Sequence, residues 1–297
     1  MAQSSREIKR RISSISKTQQ ITKAMEMIAA SKLRSAQETV VSTRPYYERL
    51  TNSLGTALRA VEQAGEDLPE IAQRRGDDTH CLLVLAGDRG LAGGYNASII
   101  RQAEAFVREH PKTEMVMVGR KVRDHFRRRN RTSLAEFVGI GDEANLRTAQ
   151  DIGHVIFDFF EHRLFDNVTI LYTEFINTVT HRVTLRNVLP LPEQMKVVKS
   201  EGPEPLYIYE PSIHAVLETL VPLYVNASVY QALAEAKASE LGARMNAMRN
   251  ATDNAGELIR DLNITYNRAR QAQITKEIAE IAGGADALQS GGYIDEC

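Results

Sequence analysis

The first sixty residues place apolar or small side chains at alternating steps of four and three. Such spacing is typical of a coiled-coil seam, because it keeps one stripe of a helix toward a partner helix. The seam positions are Ile8, Ile12, Ile15, Gln19, Thr22, Glu26, Ala29, Leu33, Ala36, Val40, Thr43, Tyr47, Leu50, Leu54, Ala57 and Val61. Glu26 breaks the pattern, and Met25 and Ile28 are expected to keep that side apolar. The pattern predicts about 50 residues of helix, about 75 Å long, which Pro45 should kink or restart.

The C-terminal part of the chain carries a second seam with the same alternation. Its positions are Leu241, Met245, Met248, Thr252, Ala255, Ile259, Leu262, Tyr266, Ala269 and Gln273. Further apolar positions extend the predicted helix back to Pro211, with a kink expected at Pro222, and forward to Gly283 and Gly284. A helix from 211 to 282 would be about 108 Å long. Much of it should therefore protrude or lie inside a partner.

Residues 79 to 190 alternate strand-like and helix-like segments. The predicted strands are Thr79 to Ala86, Glu114 to Val118, Asp166 to Phe175 and Arg182 to Leu189, with a weaker one at Leu134 to Val138. The predicted helices are Asn96 to Glu109, Arg120 to Arg129 and Asn145 to Arg163. This is the βαβ rhythm of a doubly wound sheet. The segments 62 to 78 and 190 to 206 are rich in turn residues and are predicted to be linkers.

Together these segments predict an α/β protein: a long antiparallel coiled coil of N- and C-terminal helices with an inserted Rossmann-like α/β domain. The predicted division is 1–61 for the first shaft helix, 62–206 for the α/β domain with its linkers, and 207–297 for the second shaft helix. Residues 1 to 60 carry eleven Lys and Arg against four Glu, a net +7, whereas residues 211 to 297 carry seven against eleven acids, a net −4. Burial of the apolar stripes, at about 25 cal/mol per Å2, should outweigh exposed ion pairs in holding the helices together.

Composition excludes several protein classes. The longest apolar run, Cys81 to Ala86, is far shorter than the roughly 20 residues that cross a bilayer, and no apolar signal core follows the basic N-terminus. We expect a soluble, unsecreted protein. The two cysteines, Cys81 and Cys297, provide neither a disulfide framework nor a metal quartet, which fits a reducing compartment. A nucleic-acid arm is disfavoured, because the basic residues alternate with an apolar stripe and no aromatic residue precedes Tyr46.

The segment Gly87 to Gly94, GDRGLAGG, resembles a phosphate-binding loop between the first strand and a helix. Its spacing is G-x-x-G-x-x-G rather than G-x-G-x-x-G, and no Lys-Ser or Lys-Thr pair follows. The second strand is followed by Gly119, Arg120 and Lys121, whereas an acidic residue would be expected there to bind a ribose. These departures favour a tight turn over a nucleotide site.

Other candidate chemistry is weak. The seven histidines include no pair at metal-binding helical spacing, and no G-x-S-x-G elbow occurs. Arg268, Arg270 and Gln271 lie where the second seam loses its apolar character, and their plain interpretation is solvated helix surface. Tyr207 and Tyr209 lie in a proline-bounded stretch, either as core-facing strand residues or as a contact patch.

Three segments together resemble one known family. They are IKRRISSISKTQQITKAMEMIAASKLRSAQ at 8 to 37, GDRGLAGGYN at 87 to 96, and ATDNAGELIRDLNITYNRARQAQITKEIAEI at 251 to 281. The chain resembles the gamma subunits of rotary, F-type ATP synthases over essentially its whole length. That resemblance implies a left-handed antiparallel coiled coil beside a Rossmann-like domain, with no catalytic, cofactor or metal site of its own.

The resemblance also implies partners and contact residues. The shaft tip would turn inside a ring of three alpha and three beta subunits, and the foot would sit on the membrane c-ring beside an epsilon subunit. Arg270 and Gln271, with neighbouring Arg268, would belong to the zone that meets the beta-subunit catch loops. Met25 would face a beta-subunit lever, and Tyr207 and Tyr209 would belong to the foot. No nucleic acid and no transmembrane insertion are implied.

The implied function is mechanical coupling of proton flow to ATP synthesis at the cytoplasmic face of a bacterial cell membrane. The segment 190 to 210 lacks the cysteine-bearing insertion of chloroplast relatives. The polar tail Gln289 to Cys297 departs from the family's usual ending. Two alternatives stay open: a nucleotide-binding α/β enzyme with coiled-coil dimerisation arms, which would bind ATP or NAD, and a free-standing coiled-coil scaffold, which would occur outside any ATP synthase.

Overall fold

The computed structural model describes residues 5–76, 78–192, 195 and 207–291. The chain divides into two compact units. The terminal unit comprises Met1–Glu26 with Met248–Cys297, and the central unit comprises Met27–Ala247. The predicted boundaries at 61 and 206 divide the sequence into consecutive segments, whereas these units group residues that contact one another. The predicted division therefore stays a prediction.

Two long helices begin and end the described chain: α1, Ser5–Ala64, and α5, Ile213–Gly291. Pro45 and Pro222 lie inside these helices, so neither proline ends or restarts a helix. A helical proline leaves the carbonyl four residues earlier without its donor. Those carbonyls belong to Val41 and Glu218, both exposed, so water can replace the lost bond.

The predicted end of the second helix at Gly283 and Gly284 is wrong, since α5 continues to Gly291. Glycine costs only about 1 kcal/mol in a helix interior, too little to stop a helix by itself. The tail predicted to begin at Gln289 is therefore helical in its first residues, and residues 292–297 lie outside the described part of the chain.

The two helices run antiparallel within each unit. In the central unit Thr43 Oγ1 donates to Gln231 Oε1 at 2.7 Å, and the rings of Tyr47 and Tyr224 stack with centroids 6.2 Å apart. In the terminal unit Thr22 and Thr252 share a hydroxyl hydrogen bond of 2.8 Å. Every seam position predicted from Ile8 to Val61 is buried or half-buried. The antiparallel pairing of the predicted seams is confirmed.

The side chain of Glu26 is itself buried in the seam between the two helices. It is only 6% exposed, whereas Ile28 is 57% exposed, so the expectation that Ile28 keeps this side apolar is wrong. Lys23 donates to Glu26 from the same helix at 3.0 Å, and Arg249 donates across the seam at 3.2 Å. The Lys23 hydrogen bond is the largest cause that lowers the pKa of Glu26, and the Arg249 bond adds to it against the opposing effect of burial.

The central unit contains one five-stranded sheet in the order β3-β2-β1-β4-β5. Its strands are β1 His80–Leu85, β2 Thr113–Val118, β3 Ala135–Phe137, β4 Asn167–Phe175 and β5 His181–Leu189. The first four strands are parallel, and β5 pairs antiparallel with β4 at one edge. The five predicted strands and their approximate bounds are confirmed; the antiparallel edge is a finding of the structure.

Three shorter helices cover the sheet: α2 Tyr95–Glu109, α3 Arg120–Arg127 and α4 Leu146–Glu161. On one face, β1 residues Leu82 and Val84 join a core built with α2 and α3. On the other face, Cys81, Leu83 and Leu85 join a core shared by α4 and by segments of α1 and α5. Consecutive residues of a strand point to opposite faces, so a strand buried on both sides is continuously apolar. The doubly wound arrangement is confirmed, and the shaft helices form part of one layer.

Segment 62–78 contains the end of α1 and a single 3-10 turn, Glu70–Ala72. Its linker character stays a prediction. Most of the second predicted linker, 190–206, lies outside the described residues.

Candidate functional site

The glycine-rich loop follows β1 and is closed by its own side chains. Gly87 N donates to Asn96 Oδ1 at 2.8 Å, and Asn96 Nδ2 donates to the Arg89 carbonyl at 3.2 Å. Asp88 Oδ1 accepts from the backbone N–H groups of Arg120 and Gly139 at 3.0 and 3.1 Å. Burial acts to raise the pKa of Asp88, but these two N–H donors overcome it and hold that pKa below its usual value.

A carboxylate from α5 fills the position beside this loop. A Cβ atom built on Gly87 would lie 2.8 Å from Glu240 Oε1, and Glu240 is only 4% exposed. Arg244 Nη2 donates to Glu240 Oε1 at 2.6 Å and also approaches the Gly90 carbonyl at 3.4 Å. Lys237 Nζ lies 3.6 Å from Glu240 Oε2. Glu240 thus occupies the space beside Gly87, where a doubly wound sheet would bind a phosphate.

The loop thus fastens α5 to the sheet. Beyond the Glu240 contacts, the buried hydroxyl of Tyr95 donates to the Ala236 carbonyl at 3.0 Å. Leu91 and Gly93 adopt positive φ values of 61° and 55°, which is turn geometry. The interpretation as a tight turn is favoured, and its role is packing against α5.

Sequence reasoning missed Lys237, Glu240 and Arg244. They lie on a stretch of α5 that is buried continuously from Gln231 to Arg244. The signal was available: three charged residues at spacings of three and four stand among alanines and serines. Small side chains indicate close approach on all sides, so charges in such a stretch must be paired inside the fold.

The free cysteine Cys81 is a core residue with little reactivity. Burial is the largest cause that raises the pKa of its thiol to about 12. Because the thiolate is the nucleophile, a thiol with that pKa is almost wholly unreactive near pH 8. Among the described residues no group of three His, Cys, Asp or Glu side chains is arranged to hold a metal ion.

We predict that Cys81 resists alkylation in the folded chain. In a Cys297→Ser variant, iodoacetamide at pH 8 should leave the protein unmodified by mass spectrometry. Addition of denaturant should give one adduct. An adduct formed at the same rate with and without denaturant would contradict the buried position of Cys81.

The end of α5 in the terminal unit exposes the residues singled out in the sequence. Arg268, Arg270 and Gln271 are exposed, and the last half-buried seam position of α5 is Ala269, which lies between the two arginines. Within the described ranges neither arginine forms an ion pair. Beyond them Ile274, Ile278 and Ile281 are 47%, 62% and 73% exposed. A stripe of large apolar side chains that the described part of the chain leaves exposed is typical of an interaction surface.

The other sequence candidates lie in different surroundings. Met25 is half-buried on α1, in the same unit as the α5 end. Tyr207 and Tyr209 belong to the central unit, with ring centroids 6.3 Å apart. Tyr207 is exposed, whereas Tyr209 packs against the main core, and burial raises its pKa. The tyrosine pair is thus half core and half surface, and the contact roles of all six residues stay predictions.

No helix among the described residues is long and apolar enough to cross a membrane.

Comparisons with known proteins cover nearly the whole chain. The family model described as ATP synthase matches residues 4–288. A protein of Heliobacterium modesticaldum named ATP synthase gamma chain is 44% identical over 290 residues, covering 95% of this chain and 98% of its own.

Two solved structures resemble the fold. The central stalk and c-ring structure of the Tetrahymena thermophila mitochondrial ATP synthase contains a chain with a TM-score of 0.59 and 26% identity, covering 78% of this chain and 99% of its own. A chain in the Euglena gracilis mitochondrial ATP synthase, solved with OSCP, F1 and c-ring, gives a TM-score of 0.70 at 20% identity, covering 98% and 97%. The second likeness bears on the fold alone.

Proposed function

The chain belongs to the ATP synthase gamma-chain family, and from this membership we propose that it is the non-catalytic central-stalk rotor of an F-type ATP synthase. The observation that carries the proposal is the pair of long helices, one of which ends in the exposed residues from Gln271 to Asp286. Large apolar side chains exposed on such a helix need a partner surface. The glycine-rich loop, Gly87 to Gly94, has Glu240 beside it, and this supports the proposal that the loop binds no nucleotide.

The mechanism is the conversion of shaft orientation into differences in nucleotide affinity. A single asymmetric helix pair inside a ring of repeated catalytic subunits touches each subunit differently. Each catalytic site is then biased toward a different state, and rotation passes these states around the ring. A packed two-helix seam transmits torque, because twisting it disturbs many layers of close-packed side chains.

The partners we propose are the alpha and beta subunits of the catalytic head, the epsilon subunit and the membrane c-ring. The Tetrahymena protein was solved in an assembly with a c-ring, which supports the last of these. Arg268, Arg270, Gln271 and Met25 are proposed to meet the beta subunits. Tyr207 and Tyr209 are proposed to belong to the foot of the rotor and to contact its partners there, because the exposed Tyr207 ring lies beside a Tyr209 that packs against the core.

We place the protein at the cytoplasmic face of a bacterial cell membrane as a peripheral subunit, with the proton as the coupling ion. The bacterial relative at 44% identity supports the bacterial assignment. Membrane attachment would come through partners rather than through this chain.

Purification of the tagged chain from membranes tests this proposal. The alpha, beta, epsilon and c subunits should co-purify, and vesicles from cells lacking the chain should lose ATP-driven proton uptake. Restoring the chain should restore that uptake, whereas the purified chain alone should hydrolyse no ATP. Recovery of the chain free of these subunits would favour the scaffold alternative, and ATP turnover by the pure chain would favour the enzyme alternative.

A further inference from the structure

A strongly basic segment covers one side of the central unit. Residues 120–131, RKVRDHFRRRNR, contain seven Lys and Arg against one Asp. They form α3 and the turn after it, and Val122 and Phe126 are the buried residues that hold this helix on the sheet. The remaining surface of α3 faces solvent and the neighbouring helix α2.

A cleft of about 430 Å3 lies between α2 and α3. Arg101 lines it from α2, and Lys121 and Arg128 line it from α3 and its C-terminal end, while Ile100 supplies an apolar floor. Small-molecule sites are concave regions of about 300 to 1,000 Å3, so the cleft has the size of a ligand site.

The carboxylates of the cleft are already engaged by other side chains. Glu104 pairs with His125 at 2.8 Å and with Arg129 at 3.3 Å, and Asp124 pairs with Arg123 at 2.7 Å. Among residues that the structure describes, no carboxylate lies within ion-pair distance of Arg101, Lys121 or Arg128. Three cations therefore face one cleft without a close ion pair, although Arg128 interacts with Asp124 at longer range.

The position of Lys121 is electrostatically unfavourable for the fold. It lies in the first turn of α3, which holds no acidic residue, and a cation there opposes the helix dipole. The Lys121 ammonium also leans over the glycine-rich loop, with Nζ 3.8 Å from the place of a Cβ on Gly90. An anion in the cleft would relieve this repulsion.

We propose that the α2–α3 cleft binds the phosphate chain of an anionic ligand. Arg101 and Arg128 present planar guanidinium groups that pair bidentately with phosphate oxygens, and Lys121 supplies a point charge. The first backbone N–H groups of α3 are already bonded, Arg120 N to Asp88 and Lys121 N to the Gly87 carbonyl, so side chains do the binding. The phosphates are recognised without a base or sugar, and a free polyphosphate and a nucleoside triphosphate share this chemistry.

Titration calorimetry on the full chain tests the site. Inorganic tripolyphosphate should bind one to one, ATP should bind equally well, and adenosine should not bind. Binding should weaken as salt rises, because exposed charges are screened. Preference for ATP over tripolyphosphate by more than about tenfold, or saturable binding of adenosine, would overturn recognition through the phosphates alone. Equal binding of hexaglutamate would show a general attraction for acidic chains and would also overturn the proposal.

A matched pair of double variants locates the site. Lys121→Ala with Arg128→Ala should weaken tripolyphosphate binding by about tenfold or more. Arg34→Ala with Arg108→Ala removes the same charge from exposed helix positions outside the cleft and should change binding little. An equal loss of tripolyphosphate affinity in the two variants would overturn the assignment. Unchanged affinity in the Lys121 and Arg128 variant, with its circular dichroism also unchanged, would overturn it as well. Neither variant alters a residue proposed to contact the rotor's partners, so ATP synthesis can be measured independently.

Discussion

Replacement of both Arg270 and Gln271 by alanine is expected to leave the folded chain intact but to lower ATP synthesis and hydrolysis by the assembled complex at least tenfold. Both side chains are exposed on α5, and alanine is the best helix former, so stability should change by less than about 0.5 kcal/mol. Truncation of an arginine that pairs across a desolvated interface costs about 2 to 5 kcal/mol. A barrier raised by 1.36 kcal/mol slows a reaction about tenfold.

The measurement compares thermal midpoints of the isolated chain with rates of reconstituted complexes of equal subunit composition. Arg260→Ala with Asn263→Ala is the control, because both positions are exposed on α5 within the same unit. The control should keep nearly normal rates. Normal rates for the Arg270 and Gln271 variant in a fully assembled complex would show that the two residues are ordinary solvated surface. A lowered thermal midpoint would show that they stabilise the fold instead.

Replacement of Gly119 by alanine should unfold the central unit under mild conditions. Gly119 lies between β2 and α3 with φ of 99°, and an added Cβ would lie 2.2 Å from the Ala86 carbonyl oxygen. That oxygen belongs to backbone held in the sheet, where Ala86 N donates to the Val118 carbonyl at 2.9 Å, so it cannot move aside cheaply. We expect the free energy of unfolding to fall by about 4 kcal/mol or more, which is a large part of the 5 to 15 kcal/mol of a typical domain.

Gly141→Ala separates the clash from the backbone strain. Gly141 has a similar φ of 83°, but nothing lies within 4 Å of its added Cβ. The free energy of unfolding of this variant should fall only by the backbone strain, about 1 to 3 kcal/mol. Urea unfolding of both variants by circular dichroism measures the difference, and equal losses would show that contact with Ala86 is not the cause.

The candidate site was only partly readable from the chain. The defective spacing of the loop 87–94 indicated that it is a turn, but the reason for its glycines lay elsewhere. Gly87 has no room for a side chain because Glu240, over 150 residues later, occupies that space. The α2–α3 cleft was missed because its cations come from two helices whose relation depends on the sheet between them.

Periodicity by itself determined the two shaft helices, their facing seams and the parallel core of the sheet, because each pattern reflects which side of an element is buried. Only the tertiary structure decided how exceptions to the pattern are resolved. Glu26 stays in the seam because Lys23 and Arg249 bind it, and Pro45 stays inside α1, where Val41, the residue whose carbonyl loses its donor, is exposed. Likewise β5 runs antiparallel because the short connection after β4 reverses the chain. The local sequence determines which secondary structure and which buried face a segment prefers. A distant neighbour or access to solvent determines the free-energy cost of an exception to that preference.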